Sequence, residues 1–312
     1  MRSAVPGGIL SAVIVAALGV VAPGSDHLAA VVPTGPYLGQ NPPGAKPVLF
    51  AEGIVSTEAN ELNCVFSPDG SVVVFSEWRE GQNTLMAITR DGGSWGGRTV
   101  LPFSGHSSDV DPVFSADGTR LYFSSKRPRD GDDQLGDSDL WSVERTADGV
   151  WGEPTLLAGV NSPEMDEYYT SITADGTLYF SVFPEHGSPG DIYRAGPMED
   201  GYAAPELIGE PVSTEHSEHD PFIAPDGSYL IFTSDRPGGH GRGDLWVVFR
   251  MSGGGWSEAV NMGSEINTPG YDYCAMLSPD GRYLFFTRNA GGNGDIYWVD
   301  AAVIDRIRDG LR

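Results

Sequence analysis

The chain has 312 residues, 40% of them apolar and 10% aromatic, a composition that supports a packed core and excludes a disordered chain. Its formal charge of -24, with lysine only at Lys46 and Lys126, repels phosphate backbones and anionic lipid heads. Nucleic acid and membrane surfaces are thereby poor partners, and cations or basic protein surfaces are better ones.

Residues 1–24 read as an export signal. Arg2 supplies a small positive start, GGILSAVIVAALGVVA (7–22) is apolar but too short and glycine-rich for a spanning anchor, and Ala22-Pro23-Gly24 offers a small-x-small cleavage site. The expected location is periplasmic or extracellular, with no membrane insertion after cleavage. Residues 25–45, rich in Pro and Gly, read as a linker.

From 46 to 301 the chain is a repeat array. The words NELNCVFSPDG, DVDPVFSADG, DEYYTSITADG, SEHDPFIAPDG and YDYCAMLSPDG each end in an Asp-Gly turn, at Asp69, Asp117, Asp175, Asp226 and Asp280. Those turns are 48, 58, 51 and 54 residues apart, a period that suits four-stranded propeller blades. Each unit offers an inner strand before the turn and a second strand after it, such as VVVFSE or YLIFTS. A third strand follows (DLWSVER, DLWVVFR), then an aromatic-led fourth (WGEPTLL, WSEAVNM). The fifth unit ends without its fourth strand, yet residues 47–70 align with 258–281 over 24 residues without a gap. The N-terminal stretch at 47–51 is therefore expected to complete the last blade and remove the free sheet edges. The predicted fold is all-β: a monomeric five-bladed β-propeller of four-stranded antiparallel blades, followed by a short helix over 302–312.

At DPVFSADGTRLYFSSKRP, DPFIAPDGSYLIFTSDRPGGHGRGDLW and LSPDGRYLFFTRNAGGNGDIYW the chain resembles the PD40 (WD40-like) repeats of TolB-type propellers of the bacterial envelope. TolB-like proteins carry six blades, whereas five units are present here. The resemblance implies an exported, non-catalytic propeller that binds a protein, a small ligand or an oligosaccharide at its channel mouth; it does not name the partner.

Nine residues before each turn glycine stands an acid: Glu61, Asp109, Glu167, Glu218 and Asp272. Five carboxylates around one axis need compensation, and an oxygen-rich cation site, calcium first, is one expectation. The other is loop capping, since Thr57, Thr214 and Thr268 each precede an acid by four residues. The fourth unit adds His216, His219 and Asp220, a donor set suited to zinc but without a recognised spacing. Tyr168, Tyr169, Tyr271 and Tyr273 flank the same region and offer stacking surfaces for a sugar or peptide. Cys64 and Cys274 are offset by one residue relative to their turns and are expected to stay free and buried. The alternative function is a glycoside-type hydrolase or lyase using channel carboxylates such as Glu167 and Glu218. Placing the same acid in every blade counts against the differentiated roles such chemistry needs.

Overall fold

The computed structural model describes residues 33–129, 136–184 and 188–311. The expected signal and its cleavage site fall outside them. Among the described residues, five antiparallel sheets follow one another in chain order as five blades. Blade 1 comprises Asn60–Phe66, Val72–Arg79, Gln82–Asp91 and Thr99–Val100; blade 2 comprises Asp109–Phe114, Arg120–Ser125, Asp139–Glu144 and Thr155–Leu156. Blade 3 is built from Asp166–Ile172, Leu178–Phe183, Asp191–Ala195 and Glu206–Leu207, and blade 4 from Glu218–Ile223, Tyr229–Ser234, Asp244–Phe249 and Val260–Asn261. Blade 5 has Tyr271–Leu277, Tyr283–Asn289 and Gly294–Asp300, and takes its outer strand, Val48–Leu49, from the other end of the chain.

The ring closes where the repeat alignment places the closure. Val48 pairs with Trp298 and Leu49 with Tyr297, and the Phe50 N–H donates to the Ile296 carbonyl at 2.8 Å. Phe50 is fully buried and meets the rings of Phe285 and Trp298 at centroid distances of 5.0 and 5.2 Å. The stretch before it, from Pro33, also packs onto the propeller. Leu38 is buried there, Tyr37 sits edge-on to Tyr283, and the Trp95 indole N–H donates to the Gly35 carbonyl at 2.8 Å. The chain ends in the helix Ala302–Asp309, which turns Val303 and Ile304 into the core.

Each second strand lies between two neighbouring blades, so both of its faces are buried and it reads as a nearly continuous apolar run rather than an alternating one. Phe75, Phe123, Phe180, Phe232 and Phe286 occupy equivalent places in these strands and are all essentially inaccessible. The turn glycines Gly70, Gly118, Gly176, Gly227 and Gly281 all have positive φ, between 66° and 88°, as the turn requires of them.

The inner strands carry a feature that no residue pattern announces. Each is bulged two residues beyond its acid, and the bulged residue (Asn63, Asp111, Tyr169, Asp220 or Cys274) has a left-handed φ between 46° and 56°. Four of these bulges are latched to the preceding blade by a hydroxyl from its second strand. The N–H groups of Asn63, Asp111, Tyr169 and Asp220 donate to Thr287, Ser76, Ser124 and Ser181 at 3.1, 3.2, 3.1 and 2.9 Å. In blades 1 to 4 the bulged backbone thus satisfies its free N–H on the neighbouring blade.

Candidate functional site at the channel mouth

The five acids begin the inner strands and are buried, none more than 1% exposed. Each is held inside its own blade, largely by the preceding loop. Thr214 donates its N–H and hydroxyl to Glu218 at 2.8 and 2.9 Å, and Thr268 does the same for Asp272 at 2.6 and 2.8 Å. Thr57 caps Glu61 in the same way, and Ser104 and Ser125 donate to Asp109 at 2.7 and 2.6 Å. An arginine then neutralises the carboxylate: Arg127 on Asp109 at 2.7 Å, Arg236 on Glu218 at 3.0 Å, Arg288 on Asp272 at 2.7 Å. These guanidinium groups also lie over second-strand and third-strand rings, Arg236 at 4.9 Å from Phe232 and 5.4 Å from Trp246. The arginines that follow the second strands thus serve the inner-strand acids, while the third-strand Asp139 and Asp244 find other partners in Arg129 and in the Asn261 side chain.

Two blades depart from this scheme. In blade 1 the guanidinium comes from Arg98, ahead of the outer strand, which reaches both Glu61 and Glu77. Burial still raises Glu61 above the usual carboxylate range, against the opposing pull of Thr57 and Arg98. In blade 3 Pro184 follows the second strand where an arginine stands elsewhere, and Glu167 keeps only the Ser162 N–H at 3.1 Å. Its second oxygen is buried without a partner. Burial pushes the Glu167 carboxyl up to about 8, and the nearby Asp139 and Asp137 add to the shift.

In front of the acids, on the axis, lies a cavity of 390 Å3 to which all five blades contribute. Its walls are Tyr168 and Phe183 of blade 3 and Tyr271 and Tyr273 of blade 5, and its carboxylates are Asp111, Asp166 and Asp220. Asp111 and Asp220 are bulged residues, so the left-handed backbone is what turns them to the axis from blades 2 and 4. Tyr169, also bulged, crosses the ring and donates its hydroxyl to the Ala275 carbonyl of blade 5 at 2.8 Å. Past it, the inner strands and their turns enclose a smaller apolar pit of 250 Å3 lined by Phe66, Phe114, Phe222 and Met276.

Polar contacts in the mouth form a chain. The Tyr271 hydroxyl is 2.6 Å from His219 Nε2, His219 Nδ1 is 3.1 Å from Asp220 Oδ2, and the Cys274 thiol donates to the same oxygen at 3.5 Å. Burial works against charge on His219, but Asp220, with Asp235 and Glu218 behind it, outweighs burial and raises its pKa. Burial and then the Asp220 charge raise Asp111 well above the ordinary carboxylate range. Asp111 Oδ1 is buried with no hydrogen-bond partner. Of the fourth-blade set, His219 and Asp220 meet, whereas His216 lies apart, its ring 4.0 Å from Glu215. Among the described residues, no group of three or more His, Cys, Asp or Glu side chains is placed to hold a metal ion. Cys64 and Cys274 are free and buried.

Comparison with solved structures gives the fold its nearest terms. A TolB structure from Agrobacterium tumefaciens matches with TM-score 0.51 at 18% identity, over 77% of this chain and 76% of that one. The fold is that of a TolB-like β-propeller. A TolB from Acinetobacter baumannii matches equally well, TM-score 0.51 at 15% identity over 79% of this chain; the TolB-like propeller spans about half of that protein, 53%. An endo-arabinase from Bacteroides thetaiotaomicron matches with TM-score 0.52 at 14% identity, over 80% of this chain and 94% of that one. No protein-family model matches the chain, and no curated protein matches it. At these identities the likeness is one of fold. No helix among the described residues is long and apolar enough to cross a membrane.

Proposed function

We propose that the chain is an exported, non-catalytic propeller that binds a segment of a partner protein in the mouth cavity. The observation that carries this reading is that cavity itself: five blades converge on 390 Å3 of space lined by four aromatic rings and three carboxylates. Its volume lies in the range of ligand pockets, and an apolar wall with a few convergent polar groups is their usual make-up. Four of the five repeat acids support a binding module over an enzyme, because Glu61, Asp109, Glu218 and Asp272 are engaged in capping and ion pairs within their blades.

The test is selection of peptides on the immobilised protein, followed by binding to a Tyr168→Ala/Tyr271→Ala double variant. Loss of binding with an unchanged melting temperature supports the mouth as the site; peptides indifferent to both substitutions refute it. A second reading, glycoside hydrolysis, is favoured by one observation. Asp111 and Asp220 line the same cavity from blades 2 and 4, close enough for the Asp220 charge to act on Asp111, as in an acid and base pair. Turnover on a polysaccharide panel, abolished by Asp220→Asn, would decide for it. Export is tested by N-terminal sequencing of protein recovered outside the cytoplasm, which should begin at Ser25.

A further inference from the structure

Resting on the mouth as the binding site, we infer that its ligand is an organic cation: the guanidinium or ammonium tip of a basic side chain, held between Asp111 and Asp220 and enclosed by Tyr168, Tyr271 and Tyr273. The starting observation is the orphaned Asp111 Oδ1. It is buried, it lines the cavity, and no described residue donates to it, the Tyr169 N–H beside this carboxyl being bonded to Ser124. A buried carboxylate oxygen left unpaired is costly, and an acceptor facing a cavity asks for a donor from outside.

The surroundings select which donor. Among the described residues neither lysine nor arginine lines the cavity, and the carboxylates that do are Asp111, Asp166 and Asp220. Asp166 already accepts the Ser138 N–H at 2.7 Å, and Asp220 accepts from His219 and Cys274, which leaves Asp111 as the open oxygen. A divalent metal wants several oxygens converging on one point. Here the carboxylates are spread around a wall of aromatic rings, whose faces attract a diffuse cation. A planar guanidinium donates several N–H groups and stacks on such rings, and an ammonium does the same less directionally. The protein's charge of -24 favours the approach of a basic segment.

The titrating groups around Asp111 are Asp220, His219, Cys274 and the tyrosines Tyr168, Tyr169, Tyr271 and Tyr273. With no cation beside it, burial and the Asp220 charge favour the protonated Asp111 carboxyl, and an arriving cation takes the place of that proton. Binding therefore tightens as pH rises.

The probes are acetyl-Gly-Arg-Gly amide and its citrulline counterpart, the same shape without the charge, titrated by calorimetry and by tyrosine ring chemical shifts. The expected result is binding of the arginine peptide at least tenfold tighter than the citrulline one. That preference should disappear in Asp111→Asn, a substitution the left-handed φ of 56° tolerates. Tyr273→Leu, which removes a ring face, should weaken the arginine peptide severalfold in a variant whose carboxylates are intact. Equal binding of the two peptides overturns the cation while leaving the mouth as a binding site. Binding of neither overturns the cation; if selected peptides also ignore Tyr168→Ala/Tyr271→Ala, the mouth reading falls with it. Calcium binding that needs Asp111, with no effect of either peptide, overturns the inference in favour of a metal.

Discussion

Glu167→Gln should stabilise this protein at alkaline pH, although the same substitution at the equivalent acid of the next blade should destabilise it. Glu167 is 1% exposed, has one oxygen without a partner and titrates at about 8 in the folded chain instead of 4.5. The folded state therefore holds a proton that the unfolded state releases. The stabilising effect of that proton is complete below pH 4.5 and disappears as pH rises through 8. At about 1.4 kcal/mol per pH unit, the whole window is worth on the order of 4–5 kcal/mol, an upper bound because water penetration relaxes buried charges. A glutamine mimics the protonated acid, and still accepts from Ser162, at every pH. The assay is urea unfolding of both proteins at intervals from pH 4 to 9, plotted as the difference in stability so that every other titrating group cancels. The difference should be near zero at pH 4 and grow in favour of the variant up to pH 8–9. A flat difference across the range, or a variant less stable at pH 9, would refute the assignment of Glu167 as an unpaired buried acid.

In blade 4, Glu218→Gln strands the Arg236 guanidinium against Phe232 and Trp246 and should cost about 3 kcal/mol near neutral pH, read by the same unfolding assay. Removing one latch hydroxyl, Ser124→Ala, leaves the Tyr169 N–H unpaired in a closed site and should cost about 1–3 kcal/mol, with hydrogen exchange at Tyr169 accelerated. Gly243→Ala places a methyl group 2.3 Å from a Tyr271 ring carbon, so it should displace that ring and weaken any mouth ligand; unchanged tyrosine ring shifts would count against this. Calcium added to metal-stripped protein should leave its melting curve unmoved, since the repeat acids already accept from Thr, Ser and Arg; a shift abolished by Glu61→Gln and Asp272→Asn would return them to a metal site.

Much of the fold was legible in sequence because propeller blades advertise themselves locally. A turn glycine with an Asp before it, runs of Val, Phe and Tyr, and a gapless match between the two ends of the chain were sufficient to number the blades and to close the ring. The capping role of Glu218 and Asp272 was legible too, as a threonine four residues earlier. The mouth was not. The bulged positions hold Asn, Asp, Tyr, Asp and Cys, five places with no shared chemistry, because what they share is a backbone angle and, in four of them, an N–H supplied to the neighbouring blade. The sequence offers Asp220 as a zinc-type donor beside His219, but without the bulge nothing turns it or Asp111 to the axis. Arg98 was missed for a related reason: it replaces the arginine of the other blades from a different place along the strand order. Glu167 could have been singled out, since Pro184 in place of an arginine was visible and deprives that acid of its counter-charge.

Closing the last blade with Val48 and Leu49 also sets an order of events in the life of the chain. Ser56 bonds to Ile296 across 240 residues of sequence, so this seam has one of the largest loop closures the protein makes. Val48–Leu49 has no partner until Gly294–Asp300 has been made. While the intervening blades are synthesised two sheet edges stay open, one at Val48–Leu49 and one at the growing end. The nascent protein is an arc with two adhesive ends, and until they meet, any other edge strand it encounters competes for them.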